Sequence, residues 1–134
     1  MPEPKKIILA EDDEFLSSLL KNRLQREGFD IKLAKSGDEA LAALRKSKPD
    51  LLLLDIILPN KIGFDIIEEL RDDKSYGPLP PFIVISNLGQ EEDIRRAKDL
   101  GALEYFIKAR IIIDDLIKRV TLILSPDQPA SSKK

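Results

Sequence analysis

The 134-residue sequence contains no cysteine and no histidine. The absence of cysteine excludes disulfides, thiolate metal sites and cysteine nucleophiles. The absence of histidine excludes serine–histidine–aspartate triads and histidine-ligated metals. Carboxylates, hydroxyls, lysines and arginines are therefore the side chains left to carry any reaction.

Neither sign of charge dominates, and no long hydrophobic segment is present. The 22 Lys and Arg residues nearly balance the 24 Asp and Glu residues, so no basic excess indicates nucleic-acid binding. No run of about 18 apolar residues could span a membrane. The apolar run in the first segment, MPEPKKIILAEDD, is too short for a signal peptide. We therefore expect a cytoplasmic protein that binds neither membranes nor, directly, nucleic acid.

Five short apolar runs alternate with segments of helical periodicity. The runs have the length of strands, and three are almost continuously apolar, as in parallel strands covered on both faces. They are KIILA (6–10), DIKLA (30–34), DLLLL (50–54), PFIVIS (81–86) and EYFIK (104–108). The helical segments cover about 14–27, 36–48, 64–71, 90–100 and 112–124. This alternation predicts an α/β fold, a three-layer, flavodoxin-like, doubly wound parallel sheet with strand order 2-1-3-4-5.

The composition predicts one domain over residues 1–125 and a disordered polar tail over 126–134. A chain of this length suits a single domain with its own core. The final stretch, SPDQPASSKK, is polar and rich in proline and serine. Such a stretch cannot bury enough apolar surface to fold by itself.

Polar residues follow four of the predicted strands. Asp12 and Asp13 follow the first, Asp55 follows the third, Ser86 ends the fourth and Lys108 ends the fifth. The carboxyl ends of parallel strands lie at one edge of a sheet, so we expect these side chains to converge there. Asp55, which comes directly after four leucines, is expected to emerge at this edge in a polar cluster rather than to be buried in the core.

Three carboxylates, a hydroxyl and an ammonium group together favour magnesium-assisted phosphoryl transfer. Carboxylates held close together raise one another's pKa, and a hard cation such as Mg²⁺ relieves the repulsion. Ser86 and Lys108 would bind phosphoryl oxygens, and a carboxylate can act as the nucleophile. Taken singly, each residue also has an ordinary structural explanation, such as helix capping by Asp12 or Asp13.

The segments around these residues resemble the receiver domain of two-component response regulators over about residues 5–125. The matching segments are AEDD, LLLLDIILP, VISN and GALEYFIK. The resemblance implies that Asp55 is the phosphoacceptor. The phosphoryl group would come from a phosphohistidine on a sensor histidine kinase or a histidine phosphotransfer protein.

The same resemblance implies a cofactor and its ligands. Mg²⁺ would be held by Asp12, Asp13, Asp55 and the backbone carbonyl of Ile57. Asp13 would bind the metal directly, and Asp12 would bind it mostly through water.

The resemblance also assigns the residues that respond to phosphorylation. Lys108 would pair with the phosphoryl group, and Ser86 would be the switch hydroxyl that moves toward it. Tyr105 would be the switch aromatic, turned inward in the active state.

The chain departs from the family pattern on both sides of the predicted site. Ala109 follows Lys108 where the family usually has proline, often after a cis bond. A cis bond to a non-proline residue costs about 2.5–4 kcal/mol. The bond here is therefore either cis at that cost or rebuilt as trans, and the sequence does not decide between the two. Ile62 replaces the Asp or Asn that often precedes the glycine of PNKIG.

Two further departures concern the lifetime of the phosphorylated state. Ile57 and Leu88 lie two residues beyond Asp55 and Ser86, where polar residues are frequent in the family. Neither apolar side chain can orient an attacking water, and both would exclude one. The sequence therefore predicts slow autodephosphorylation.

The leading hypothesis is a stand-alone receiver that catalyses only its own phosphorylation and autodephosphorylation. It would switch a surface on helix 4, strand 5 and helix 5 that binds an unknown downstream protein, or a second copy through helices 4 and 5. The alternatives are a phosphorylation-independent pseudo-receiver adaptor and an Asp-nucleophile phosphatase of the haloacid-dehalogenase type. A nucleotide- or flavin-binding protein is disfavoured because the glycines are isolated and form no phosphate loop.

Overall fold

A computed structural model describes residues 3–125 and confirms the predicted α/β architecture. The five strands pair in parallel in the order β2-β1-β3-β4-β5. The strands are β1 (Lys6–Ala10), β2 (Asp30–Ala34), β3 (Leu51–Leu54), β4 (Phe82–Ser86) and β5 (Glu104–Ile107). The helices are α1 (Glu14–Arg26), α2 (Gly37–Lys46), α3 (Gly63–Asp72), α4 (Glu91–Asp99) and α5 (Ile113–Leu124). A short 3-10 turn, Lys108–Arg110, follows β5 and was not predicted.

Two hydrophobic clusters lie on opposite faces of the sheet and explain why the central strands are apolar at every position. Ile8 and Leu52 point into the cluster shared with α2, α3 and α4. Their neighbours Ile7 and Leu53 point into the cluster shared with α1 and α5. Successive strand residues face opposite sides, so a strand covered on both faces needs apolar residues throughout.

The backbone at the start of α3 lies close to the residues that follow β3. Gly63 N–H donates to the Ile56 carbonyl at 2.8 Å. A Cβ at Gly63 would lie 2.7 Å from the Asp55 carbonyl oxygen, so a larger residue would push α3 away from the strand. Glycine at this position therefore sets the loop after Asp55 tightly against the sheet edge.

Several expectations concern the ends of the chain and the loop after β5. No described peptide bond is cis, so Lys108 and Ala109 are joined by a trans bond, which the sequence alone did not decide. Within residues 3–125, no helix combines the length and hydrophobicity needed to cross a membrane. The predicted tail, 126–134, lies outside the described residues.

Candidate functional site

The carboxyl ends of three strands bring together an ammonium group and two carboxylates. Asp55 N–H donates to the Ala10 carbonyl at 2.9 Å, which places the residues after β1 and β3 side by side. The Lys108 ammonium reaches across from the end of β5. It donates to Asp55 Oδ2 at 2.7 Å and to Glu11 Oε2 at 2.8 Å. The predicted convergence of Asp55 and Lys108 is therefore present.

Asp55 lies at the sheet edge in a polar cluster, but its side chain is only 3 % exposed, so the edge itself is closed to solvent at this residue. Its charge is accommodated by the Lys108 ammonium and by the Ile57 N–H, which donates to Oδ1 at 3.1 Å. Burial raises the pKa of Asp55 above its ordinary value, the Lys108 contact opposes this, and repulsion from Asp12 adds a smaller increase. The ionised carboxylate is thus paired but remains costly to bury.

Glu11 is a site residue that the sequence interpretation missed. Its side chain is 1 % exposed, and Oε2 accepts hydrogen bonds from Lys108 Nζ and, at 3.0 Å, from Asp13 N–H. Burial raises its pKa, although the Lys108 hydrogen bond opposes the shift. The register of β1 against β3 could have identified Glu11. Ala10 pairs with Leu54, so the residues that follow them, Glu11 and Asp55, lie side by side.

Asp13 does not join this group, which corrects the prediction that it lies in the carboxylate cluster. Its Oδ1 accepts a hydrogen bond from Leu16 N–H at 2.9 Å and so caps the first turn of α1. The three clustered carboxylates are those of Glu11, Asp12 and Asp55, with one oxygen from each lying within 4.8 Å of the others. The acidic pair after β1 therefore begins one residue earlier than predicted.

The clustered carboxylates form a donor set that suits a hard divalent cation. All three supply oxygen, the ligand atom that Mg²⁺ prefers. Glu11 Oε1 is buried and has no hydrogen-bond partner within the described chain. An unpartnered buried carboxylate oxygen is unusual in a folded protein, and a bound cation would satisfy it.

Ser86 and Tyr105 both contact the loop between β4 and α4. Ser86 is fully buried, and its Oγ accepts a hydrogen bond from Leu88 N–H at 3.2 Å. The Tyr105 hydroxyl donates to the Leu88 carbonyl at 2.5 Å. Burial and the nearby Asp93 raise the pKa of Tyr105. The two predicted switch residues thus meet at one loop, whereas their roles in switching stay predictions.

The burial of Asp55 leads to a stability prediction. A carboxyl pKa that is higher in the folded chain than in the unfolded chain lowers stability once the group ionises, and this cost vanishes below the ordinary pKa. We expect Asp55→Asn to raise the free energy of unfolding by about 1 kcal/mol at pH 7. Urea denaturation should show this gain shrinking as the pH falls toward 4. An equal gain at every pH, or none at pH 7, would contradict the assigned cause.

Residues 7–121 match the family model described as "Response regulator receiver domain". The chain belongs to this family. Relatives of this receiver domain include the transcriptional regulatory protein CpxR of Klebsiella pneumoniae, 40 % identical over 119 residues. That match covers 89 % of this chain and 49 % of CpxR, so the receiver domain spans about half the length of this curated relative.

Solved structures of response regulators share the fold of this receiver domain. A two-component response regulator from Clostridium difficile superposes with a TM-score of 0.81 at 26 % identity, covering 93 % of this chain and 99 % of that one. The phosphorylated cyanobacterial phytochrome response regulator RcpA gives a TM-score of 0.76 at 30 % identity, covering 91 % of this chain and 95 % of that one. These matches confirm the family predicted from the sequence.

Proposed function

We propose that this receiver domain accepts a phosphoryl group on Asp55 from a phosphohistidine of a sensor histidine kinase or a histidine phosphotransfer protein. The observation that supports this most directly is the half-buried Lys108 ammonium, which contacts the buried carboxylates of both Asp55 and Glu11. Such an ammonium, held beside a carboxylate nucleophile, can stabilise the charge of a transferring phosphoryl group. The phosphorylated state of RcpA, a relative of similar fold, is consistent with the proposal.

Asp55 and Lys108 have separate roles in the proposed transfer. An oxygen of Asp55 attacks the phosphorus and forms a P–O bond, while the P–N bond breaks and its electron pair stays on the imidazole nitrogen of the donor. Lys108 moves from neutralising the free carboxylate to binding a phosphoryl oxygen. Because the ammonium already lies 2.7 Å from Asp55 Oδ2, little rearrangement is needed at the moment of transfer.

Mg²⁺ is the proposed cofactor, held by Glu11, Asp12 and Asp55. The backbone carbonyl of Ile57 remains a predicted fourth ligand. When bound, the ion would neutralise negative charge on the carboxylates and on the phosphoryl oxygens. Glu11 and Asp12 also place two negative charges near the acceptor, which would repel an unaccompanied phosphoryl donor.

The proposed output is a changed surface on α4, β5 and α5. Tyr105 and Ser86 contact the loop that enters α4, so a movement of either side chain would be transmitted to that helix. The surface would bind an unknown downstream protein or a second copy of the chain. That the protein is stand-alone, cytoplasmic and without direct contact to nucleic acid remains a prediction.

Intact-mass measurement tests the proposed function. The protein is incubated with acetyl phosphate and Mg²⁺, and a matched sample receives the same mixture with EDTA. We expect one phosphoryl group per chain with Mg²⁺ and none with EDTA. No uptake in either sample would instead support a phosphorylation-independent adaptor, and sustained multiple turnover of phosphate esters would support a phosphatase.

The assignment of Glu11, in place of Asp13, as a metal ligand gives a paired prediction. We expect Glu11→Gln to weaken Mg²⁺ binding by about tenfold or more in a calorimetric titration, because it removes a charged ligand. Asp13→Asn should change the affinity less than twofold. If the Asp13 variant loses the affinity and the Glu11 variant keeps it, the ligand assignment is wrong.

A slow loss of the phosphoryl group is expected from the two apolar residues beside the site. Ile57 is 55 % exposed beside Asp55, and Leu88 is half-buried in the loop after Ser86. Replacing them with polar groups, Ile57→Asn with Leu88→Glu, should speed autodephosphorylation by about tenfold or more, because such groups can orient water. Unchanged decay of the phosphorylated mass in the double variant would contradict this explanation.

A further inference from the structure

We propose that Asn87 is a positioning residue for phosphoryl transfer, because its side chain holds the turn that carries Lys108. Asn87 Oδ1 accepts a hydrogen bond from Ala109 N–H at 3.1 Å. This bond joins the loop after β4 directly to the turn after β5. The inference rests on the proposed function, since it concerns the same transfer to Asp55.

The pairing of β4 with β5 explains why Asn87 can reach this turn. Ser86 pairs with Ile107 in the last rung of the ladder, so Asn87 stands beside the residues that follow β5. The backbone ladder stops there because the chain turns into the 3-10 segment Lys108–Arg110. The Asn87 side chain replaces the next rung and extends the link between the strands by one residue.

The turn needs such a partner because its first N–H groups have no acceptor within the helix. The residue that precedes the turn, Ile107, provides no side-chain cap. Asn87 supplies the missing acceptor from the neighbouring strand. A proline in place of Ala109 could not donate this bond, so the contact depends on a residue in which this chain departs from its family's pattern.

The position of the turn decides where the Lys108 ammonium lies. A lysine side chain has four rotatable bonds, and its reach to Asp55 and Glu11 depends on the backbone from which it starts. Without the Asn87 contact, the turn would be free to shift while the ammonium kept its charge. The expected defect is therefore a misplaced Lys108, with the folded chain otherwise intact.

The kinetic test compares the rate of phosphorylation by acetyl phosphate in Mg²⁺ across five proteins: the wild type, Asn87→Ala, Asn22→Ala, Lys108→Ala and the double variant Lys108→Ala with Asn87→Ala. Asn87→Ala should slow the rate about three- to tenfold relative to the wild type, the usual effect of one lost hydrogen bond. Asn22→Ala, at an exposed asparagine of α1, is the matched control and should react at the wild-type rate. In the Lys108→Ala background, Asn87→Ala should cause no further loss, because Asn87 acts through Lys108. An equal loss in both backgrounds, or none in the first, would overturn the inference.

Amide hydrogen exchange at Ala109 gives a readout that does not depend on phosphorylation. In the wild type, the Ala109 N–H should exchange about tenfold more slowly than in Asn87→Ala, while Asn22→Ala should leave it unchanged. Equal exchange in wild type and Asn87→Ala would show that the bond does not hold the turn. If the wild type took up no phosphoryl group at all, the proposed function would fail, whereas loss of the Asn87 effect alone would refute only the positioning role.

Discussion

Asp55→Asn should abolish phosphoryl uptake from acetyl phosphate, because asparagine has no carboxylate oxygen to attack phosphorus. Within the described cluster, Asp55 alone has both carboxylate oxygens hydrogen-bonded, Oδ2 by the Lys108 ammonium and Oδ1 by the Ile57 N–H. In Glu11, both bonds go to the same oxygen, Oε2. The variant should fold, since the exchange keeps the side chain's shape and removes a charge that burial disfavours. Intact mass is the measurement, and the phosphorylated species seen in the wild type should be missing.

Asp50→Asn is the matched control for this experiment. Asp50 stands before β3, at the opposite end of the same strand, and its exposed carboxylate accepts a hydrogen bond from Lys6 N–H at 2.8 Å. Within residues 3–125, Asp50 forms no salt bridge comparable to that between Lys108 and Asp55, so uptake should equal that of the wild type. Full phosphorylation of Asp55→Asn, or loss of uptake in Asp50→Asn, would contradict the assignment.

Lys108→Ala should slow phosphorylation by about 10²–10³-fold, the usual effect of losing one preorganised charged donor at a transition state. The same change leaves Glu11 and Asp55 buried without their cation, which destabilises a protein strongly. The rate must therefore be measured on protein whose far-UV circular dichroism matches the wild type.

Two other variants test whether the rate depends on the shape of the cationic group at position 108 and on a positive charge elsewhere on the surface. Lys108→Arg keeps the charge but replaces a compact ammonium with a planar guanidinium, so we expect it to recover only part of the lost rate. Lys98→Ala removes an exposed charge on α4 and should react at the wild-type rate. A wild-type rate in folded Lys108→Ala would show that the ammonium takes no part in transfer.

The fold could be predicted because local patterns and global topology agree in this chain. Strands such as Leu51–Leu54 are apolar at every position, which requires cover on both faces and hence helices on both sides of the sheet. The strict alternation of strands and helices, with right-handed crossovers, then leaves few topologies. The 3-10 turn after β5 was missed because three residues carry no periodicity of their own.

The carboxylate cluster in the structure differs from the predicted one by one residue at the end of β1. The segment EDD offers adjacent carboxylates, and only the point where the strand ends decides which of them face Asp55. Ala10 is the last strand residue, so Glu11 turns toward the site and Asp13 is left to cap α1. From the sequence, Asp13 could be either a helix cap or a metal ligand, and we predicted that it is a ligand.

The burial of Asp55 and the role of Asn87 could not be predicted because both depend on distant contacts. The partner of Asp55 is an ammonium 53 residues further along the chain, and no local pattern shows that the pair closes. The Asn87 contact uses a backbone N–H of Ala109 that becomes available only when the turn forms. Such contacts are properties of the folded chain.

Locating the phosphoryl group on the wild-type chain tests the central claim most directly. After reaction with acetyl phosphate and Mg²⁺, borohydride converts an aspartyl phosphate to homoserine, and trypsin releases the peptide 47–61. This peptide contains only two acidic side chains, Asp50 and Asp55, which fragmentation distinguishes. We predict homoserine at position 55. Homoserine at position 50, or at any aspartate outside this peptide, would contradict the proposal that Asp55, beside Glu11, Asp12 and Lys108, is the phosphoacceptor.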